Sequence, residues 1–237
     1  MAGMVQHAQA ESDRVTHGRT VAQWSTIDVA GPQLLVRRLT GWLWRIPLRS
    51  RAYGQENVPD EGGFILCPNH VSWLDGFVHV ERQHRTMRVM GKSEVFAMPI
   101  LGRLWPRLGV FPVVRGGGDL AAREIARRLL ERGEALLLYP EGTRKGHPSA
   151  LGTPRSGAAL LALQTGVPVI PVASWGFREW DQPRRLRIPR IVTVYGAPLH
   201  FERCAPTPEQ VEQARTQIWD AVAELRDRAR ELHAGGT

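Results

Sequence analysis

Residues 64–75 read FILCPNHVSWLD and residues 135–144 read ALLLYPEGTR, and these two stretches decide the fold of the chain. Each begins with a short apolar run that is typical of a buried strand and continues into polar residues. Open α/β sheets usually hold their reactive groups at the carboxyl ends of neighbouring strands. We therefore expect the polar residues of both stretches to meet at one edge of a sheet.

The rest of the chain alternates strand-like apolar runs with helical segments. This alternation predicts an α/β fold with a mostly parallel, twisted sheet flanked by helices. Strands are expected at residues 52–55, 64–67, 87–90, 110–114, 135–139, 167–172 and 191–195. Helices are expected near 73–82, 99–108, 119–132, 155–165 and 208–233. The apolar stripe of the last helix favours docking on its own core over a coiled-coil dimer.

Nothing in the 237 residues resembles a linker, so we expect a single domain. Its parts are a mobile N-terminal segment (1–30), an amphipathic helix (31–48), the main domain (49–205) and a C-terminal helix packed on that domain (206–237). The uncharged stretch 156–177 is long enough to span a bilayer, but Gly166, Pro168 and Pro171 interrupt it. We predict a buried helix and strand there, and no transmembrane helix.

The net charge of +8 is carried almost wholly by arginine, since Lys92 and Lys145 are the only lysines. Arginine suits phosphate groups because its planar fork donates two parallel hydrogen bonds. The charge is compatible with nucleic acid, anionic lipid or a phosphorylated small molecule, and does not choose among them. Cys67 and Cys204 lie far apart without a metal-binding spacing, so we expect no disulfide framework, which fits a reducing compartment.

A helix predicted over residues 32–46 has an apolar side and a basic side. The apolar side carries Leu35, Val36, Leu39, Trp42, Leu43 and Ile46, and the basic side carries Arg37, Arg38 and Arg45. This pattern is typical of a helix lying in a membrane interface. A helix docked on the core, with a solvated arginine face, is the alternative interpretation.

His70 and Asp75 form the most chemically specific pair, because a histidine held by a carboxylate can take a proton from an alcohol. Five residues apart, they meet only if His70 lies in the turn before a helix and Asp75 in its first turn. A helix cap at Ser72 predicts that arrangement. The sequence contains no G-x-S-x-G nucleophile elbow. We therefore expect direct attack by a substrate hydroxyl, without an acyl-enzyme.

A metal site built from His70, Asp75, His79 and His84 is a weaker hypothesis, because His79 and His84 would point to different sides of one helix. We expect neither a metal nor a resident cofactor.

Four blocks of the sequence resemble, in order, the motifs of a known enzyme family. Residues 69–75 match the NHxSxxD form of the HX4D motif of glycerolipid acyltransferases, and resemble the 1-acylglycerol-3-phosphate (lysophosphatidate) acyltransferases in particular. Residues 139–144 match the FPEGTR block, with Tyr139 for the usual Phe. Residues 109–115 resemble the block that ends in a substrate-binding Arg, and residues 167–172 resemble the fourth, Pro-containing block.

The resemblance implies transfer of a fatty acyl group from an acyl-CoA or acyl carrier protein thioester to a lysophospholipid hydroxyl, most directly that of 1-acylglycerol 3-phosphate, in phospholipid biosynthesis. It implies His70 as the base and Asp75 as the carboxylate that orients it. The implied substrate-binding residues are Arg115, Glu141, Gly142, Thr143 and Arg144, and Arg115 and Arg144 are expected at the ends of adjacent strands. Glu141 has a second possible role, which is to order an arginine of the site. Val114 stands where the family commonly has Asp or Asn, which leaves other lysolipids and glycerol 3-phosphate open as acceptors.

A lipid substrate also implies a working location. We expect a peripheral or monotopic protein on the cytoplasmic side of the cell membrane, in contact with anionic lipid. The expected membrane-contact residues are Leu35, Leu39, Trp42, Leu43 and Ile46.

Two other functions are weighed against this one. Gly116, Gly118 and Ala121 follow a strand in a G-x-G-x-x-A pattern, which outlines a dinucleotide-binding unit of an oxidoreductase with Glu141 as the ribose ligand. That hypothesis leaves residues 69–75 unexplained. A nucleic-acid binder lacks the aromatic and basic strand motifs of such modules, so we expect no nucleic-acid partner. NADH titration, lysolipid acylation and salt-dependent DNA binding distinguish the three.

Overall fold

A seven-stranded sheet forms the centre of the protein, in a computed structural model that describes residues 15–16, 19–45, 50–72, 74–114, 119–144, 151–177 and 190–235. The strands are β1 (Val15–Thr16), β2 (Arg19–Thr20), β3 (Arg51–Tyr53), β4 (Phe64–Pro68), β5 (Met87–Lys92), β6 (Val110–Val113), β7 (Ala135–Leu137), β8 (Val169–Trp175) and β9 (Val192–Tyr195). Strands β3 to β9 form the sheet in the order β3-β9-β8-β4-β7-β5-β6. All neighbours are parallel except β8 and β9, so the predicted mostly parallel sheet is confirmed.

The helices expected in the main domain and at the C-terminus are present with shifted ends. The helices of the structure are α1 (Val21–Ser25), α2 (Ala30–Arg45), α3 (Asp75–Glu81), α4 (Leu101–Leu104), α5 (Leu120–Glu131), α6 (Gly157–Thr165) and α7 (Pro208–Ala234). Short 3-10 turns occupy Gln55–Asn57, Ser93–Ala97 and Trp105–Leu108. The segment predicted as one helix over 99–108 is therefore α4 followed by a 3-10 turn, where Pro106 lacks the N–H that a continuing helix would use.

Sequence patterns account for the helix positions. Asp119 starts α5 by accepting the N–H of Ala122 (3.0 Å), and α5 buries its apolar stripe against the sheet while its charged face is exposed. Helix α6 is almost uncharged and buried, and it ends at Gly166, whose φ of 73° suits glycine. Helix α7 packs through Ala214, Ile218 and Val222 against its own domain, as predicted.

The N-terminal segment is more ordered than predicted. Residues 19–29 belong to the folded domain, so the expectation of a mobile segment over 1–30 is wrong for them. Val21 and Trp24 are buried in the main core, and the Trp24 ring meets Phe96 edge-on at 5.6 Å. Burial of these two apolar side chains stabilises the segment against the domain.

The stretch 156–177 forms α6 and β8 inside the domain, which confirms the prediction of a buried helix and strand. Within the described ranges, no helix combines the length and the apolar character needed to cross a bilayer.

The neighbour relations of the strands position the candidate site. Strands β4 and β7 pair in parallel, with Leu66 opposite Leu137, so the residues after both strands meet at one edge, as expected. The strands leading to Arg115 and Arg144 were also expected to be adjacent, and that expectation is wrong: β5 lies between β6 and β7. The crossover through α5 passes over β5, which the order of segments along the chain does not reveal.

Candidate active site

His70 and Asp75 meet in the turn between β4 and α3. The Nδ1 atom of His70 lies 2.9 Å from Asp75 Oδ2 and 3.0 Å from Oδ1. The His70 side chain remains 15% exposed, whereas that of Asp75 is fully buried. Because Nδ1 faces the carboxylate, Nε2 is the ring nitrogen that can accept a substrate proton.

The Asp75 carboxylate also holds the turn together. Its Oδ2 atom accepts the backbone N–H groups of Val71 (2.9 Å) and Ser72 (3.0 Å). Burial alone would raise the pKa of Asp75, but the hydrogen bond and charge of His70 outweigh burial and hold that pKa below its ordinary value. Asp75 is therefore ionised at neutral pH and can stabilise a protonated His70.

The predicted helix cap at Ser72 is wrong. Helix α3 begins at Asp75, its N-cap residue is Leu74, and no side chain caps it. Ser72 Oγ instead accepts the N–H of Leu74 (3.1 Å). These bonds commit the N–H groups of Val71, Ser72 and Leu74, so we predict that an oxyanion formed at His70 would be bound by N–H groups of the first turn of α3.

Glu141 links the two motifs through their backbones. It is buried, and its two carboxylate oxygens accept the N–H groups of His70 and Gly152, each at 2.9 Å. A carboxylate that accepts two backbone N–H groups fixes the position of both segments. The arrangement favours a role in ordering the site over the substrate contact implied by the sequence resemblance, and the group that it orders is the His70 turn.

Behind His70 lies a buried polar network that sequence reasoning missed. The Tyr139 ring stacks on the His70 ring with a centroid distance of 4.0 Å. Tyr139 Oη shares a hydrogen bond with His79 Nδ1 (3.0 Å), and His79 Nε2 shares one with Ser174 Oγ (2.9 Å). Asn69 joins the same network, since its side chain binds both the N–H and the C=O of Ser174. The His70 turn is thus attached to β7, β8 and α3 at once.

His79 predicts a measurable pH dependence of stability. Burial lowers the pKa of His79 from its ordinary value near 6.5 to about 4. Between these values the unfolded chain binds a proton that the folded chain does not. The free energy of unfolding should therefore fall by roughly 3 kcal/mol as the pH drops from about 6.5 to about 4. Urea denaturation of the wild type and His79→Gln across this range measures the effect.

We expect the His79→Gln variant to show a flatter pH dependence than the wild type, because Gln binds no proton. His84→Gln is the matched control, since His84 lies at the surface beside Asp60 (3.1 Å). Equal pH slopes in His79→Gln and the wild type would show that His79 is not the titrating group.

His70 opens into a cleft of about 810 Å³. Its lining includes apolar side chains such as Val80, Val89, Val110 and Leu160. It also includes five cations, Arg37, Lys92, Arg123, Arg144 and Arg155, against two acidic residues, Glu81 and Asp119. A cleft lined by apolar side chains, an excess of cations and a histidine suits a molecule that has an acyl chain and an anionic group.

The turn after β7 and the segment before α6 each contribute an arginine to the cleft. Gly142 has φ of 64°, and a Cβ there would lie 2.6 Å from Arg155 Nε, so the Arg155 side chain lies directly over this glycine. Thr143 and Arg144 are exposed beside it. In the part of the chain that the structure describes, the Arg144 and Arg155 side chains have no ion-pair partner, which leaves both available to an anion.

Arg155 and Arg123 were not identified from the sequence. Neither follows a motif, and only the folding of α5 and of the segment before α6 brings them to the cleft. Arg115, the remaining arginine of the expected anion site, lies outside the described residues, as does Ile46 of the expected membrane contact. For Trp42 and Leu43 the structure describes the helical backbone but not the side chains. Leu35 and Leu39 are exposed, which argues against docking of that face of α2 on the core.

The competing chemistries find little support. Cys67 is buried, and burial raises the pKa of its thiol, so it is no nucleophile. His79 uses both ring nitrogens on Tyr139 and Ser174, and His84 lies beside Asp60, so the four residues of the metal hypothesis do not converge. Among the described residues, no group of three or more His, Cys, Asp or Glu could hold a metal ion.

Two observations contradict the dinucleotide-binding hypothesis: the order of the strands in the sheet and the hydrogen bonds of Glu141. Consecutive strands of a dinucleotide-binding unit lie side by side, whereas β5 separates β6 from β7. The Glu141 carboxylate, expected at a ribose, is buried and bound to the N–H groups of His70 and Gly152.

Comparison with known proteins agrees with the geometry. The model of a protein family described as Acyltransferase matches residues 49–175. The chain belongs to this family. It is therefore an O-acyltransferase, and the dyad, the Glu141 turn and the cleft all fall on or beside the matched segment.

Individual relatives are acyltransferases that act on related lipids. The acyltransferase is 24% identical over 188 residues to a 1-acyl-sn-glycerol-3-phosphate acyltransferase of Bacillus subtilis, covering 77% of this chain and 90% of that protein. It is 35% identical over 148 residues to a lyso-ornithine lipid O-acyltransferase of Pseudomonas aeruginosa, covering 59% and 54% of the two chains. The crystal structure of the 1-acyl-sn-glycerophosphate (LPA) acyltransferase PlsC from Thermotoga maritima superimposes with a TM-score of 0.63 at 22% identity, covering 89% and 87%, which shows a shared fold.

Proposed function

We propose that this acyltransferase moves a fatty acyl group from an acyl-CoA or acyl carrier protein thioester to the free hydroxyl of 1-acylglycerol 3-phosphate, and so makes phosphatidate for phospholipid biosynthesis. The observation that carries the proposal is the His70–Asp75 pair, whose histidine lines a cleft that also contains apolar side chains and several cations. The two relatives described as 1-acyl-sn-glycerol-3-phosphate acyltransferases support the acceptor.

The chemistry needs one base. His70 Nε2 takes the proton of the acceptor hydroxyl as the oxygen attacks the thioester carbonyl carbon, and Asp75 stabilises the imidazolium that forms. The tetrahedral intermediate then expels the sulfur, the C–S bond breaks, and His70 returns the proton to the thiolate. A thiol with a pKa of about 8.5 is a good leaving group, so a second acid is not required. Tyr139 and Glu141 hold the base in place from behind.

The acceptor phosphate binds the cations of the cleft. Arg144 and Arg155 line the same cleft as His70 and have no ion-pair partner among the described residues, and Gly142 lies under the Arg155 side chain. Arg115 and Thr143 complete this site in the proposal. The thioester carbonyl sits at His70, and the acyl chains follow the apolar side chains of the cleft.

Changing Arg144 or Arg155 to Ala should impair the use of acceptor far more than the use of thioester. One charge-assisted contact to a phosphate contributes about 1.5–3 kcal/mol, so kcat/KM for 1-acylglycerol 3-phosphate should fall roughly ten- to a hundred-fold. Steady-state kinetics with each substrate varied in turn measure the effect. Arg230→Ala on the exposed face of α7 is the matched control. Equal losses of kcat/KM for both substrates would show that these arginines do not bind the acceptor.

The acceptor can be tested against its alternatives directly. A mass-spectrometric panel of 1-acylglycerol 3-phosphate, glycerol 3-phosphate, lyso-ornithine lipid and zwitterionic lysophospholipids should show the highest kcat/KM for the first. A preference for an acceptor without phosphate would overturn the assignment of the anion site while leaving acyl transfer intact.

The proposed working place is the cytoplasmic leaflet, where the enzyme acts as a peripheral or monotopic protein. The contact is made through the residues expected from the sequence, Leu35, Leu39, Trp42, Leu43 and Ile46. Two of them, Leu35 and Leu39, lie on α2 with exposed side chains, which supports this contact. The arginines of α2 meet anionic head groups, each worth about 1 kcal/mol near the surface. A groove from α2 to His70 would let an acyl chain reach the base without leaving apolar surroundings.

A further inference from the structure

Large hydrophobic side chains are exposed around the mouth of the cleft. Within the described ranges, every strongly exposed Leu, Ile, Val, Met or Phe lies on α2, on α3, on the connection between β5 and β6, or at the end of β6. We define the apolar rim as six of these side chains: Leu35, Leu39, Phe77, Met98, Ile100 and Leu104. Ile100 is 81% exposed and Leu39 is 64% exposed. A concentration of this kind on a folded surface marks an interaction site.

The elements of the apolar rim enclose one opening. Val36 of α2, Phe77 of α3 and Trp105 of the β5–β6 connection all line the cleft that contains His70. The Phe77 and Trp105 rings lie 6.4 Å apart and join α3 to the connection. The apolar rim is therefore continuous with the place where the substrates must enter.

Helix α3 contributes two acidic residues to the rim elements, Asp75 and Glu81, and both are buried. Helix α2 and the β5–β6 connection from residue 95 onward are basic and lack acidic residues, since no Asp or Glu occurs at residues 29–55 or 95–118. Arg38, Arg103 and Arg107 are exposed on these elements. Glu94, just before the second stretch, is paired with Lys92 at 2.8 Å. Exposed apolar side chains interspersed with cations are complementary to an anionic lipid surface.

We propose that the connection between β5 and β6 is a second membrane-contact element, which inserts Met98, Ile100 and Leu104 into the leaflet that α2 also contacts. Two separate contacts fix the orientation of the enzyme, so that the mouth of the cleft faces the bilayer. The inference rests on the proposed function in one respect: a lipid substrate is the reason for the cleft to face a membrane.

A second copy of the chain is the other occupant that an apolar face could take. In a symmetric dimer the same patch faces itself. The exposed arginines of the rim elements would then be brought together without acidic partners, and like charges across an interface are unfavourable. The charge of the rim therefore favours anionic lipid.

Flotation of the purified full-length chain tests the proposal, with vesicles of phosphatidylethanolamine and phosphatidylglycerol compared with vesicles of phosphatidylcholine. Ile100→Ser and Ile100→Glu should bind the anionic vesicles at least roughly tenfold more weakly than the wild type, because a fully buried Ile side chain contributes enough transfer free energy for such a factor. Thr216→Glu, on the exposed face of α7, adds the same charge away from the rim and should bind like the wild type. Circular dichroism checks folding.

Turnover in mixed detergent micelles separates this proposal from the proposed function. Ile100→Ser should retain wild-type turnover there while losing vesicle binding. If the wild type floats with the vesicles and Ile100→Ser does not, but neither acylates any lysolipid, the membrane contact of the β5–β6 connection is supported and the proposed function is wrong. Unchanged flotation of both Ile100 variants would contradict membrane contact by the β5–β6 connection. A wild-type dimer in sedimentation velocity that Ile100→Glu dissociates would also contradict it.

Discussion

Replacing His70 with Gln should lower kcat by about 10²–10⁴-fold, the range that a positioned general base contributes. Gln is similar in size to His and can pack against the same neighbours, but it cannot accept the hydroxyl proton. The KM of the thioester should change little, because His70 accepts the hydroxyl proton during the reaction and does not bind the acyl chain of the thioester. Release of free thiol in the presence of acceptor measures the turnover.

His84→Gln is the matched control for this variant. His84 is a half-exposed histidine paired with Asp60, and it does not line the cleft. It should retain wild-type turnover. A folded His70→Gln enzyme with near wild-type kcat would eliminate His70 as the base.

Replacing Asp75 with Asn should lower kcat by about 10²–10³-fold and also destabilise the fold, because the carboxylate serves two purposes. It orients the His70 ring, and its Oδ2 atom accepts the N–H groups of Val71 and Ser72. The side-chain NH₂ group of Asn in that position would be a donor facing the N–H groups of Val71 and Ser72, which are also donors. Each buried donor left without an acceptor costs about 1–3 kcal/mol.

Urea denaturation and kinetics of the same Asp75→Asn protein separate these two effects. Asp60→Asn removes a carboxylate at the surface beside His84 and serves as the control. Wild-type stability in Asp75→Asn would contradict the structural role of the carboxylate, and wild-type kcat would contradict its catalytic role.

The sequence predicts the strands of the central sheet well, for a physical reason. Strands such as β4 and β7 are buried on both faces, so they consist of short continuous apolar runs that differ plainly from their surroundings. Their order in the sheet is a tertiary property. Whether the crossover after β6 pairs β7 with β6 or passes over β5 depends on packing between distant segments, and residue patterns carry no such information.

The candidate site likewise contains residues that the sequence could identify and residues that it could not. His70, Asp75, Glu141 and Arg144 could be found because they lie in local motifs. Arg155 could not be found, because its position over Gly142 depends on how the chain returns to α6. The Tyr139–His79–Ser174 network was missed for a related reason, since its members come from the segment after β7, from α3 and from β8, and meet only in the folded core. Val21 and Trp24 were assigned to a mobile segment because the short helix α1 has too few residues to show an apolar period.

The most direct test of the account is acyl transfer by the purified chain supplied with a long-chain acyl-CoA or acyl carrier protein thioester and 1-acylglycerol 3-phosphate, with lipid products identified by mass spectrometry and free thiol measured in parallel. The account predicts phosphatidate and free thiol in equal amounts from the wild type, and a loss of both in His70→Gln. Release of free fatty acid without phosphatidate, or product formation that is unchanged in His70→Gln, would contradict it.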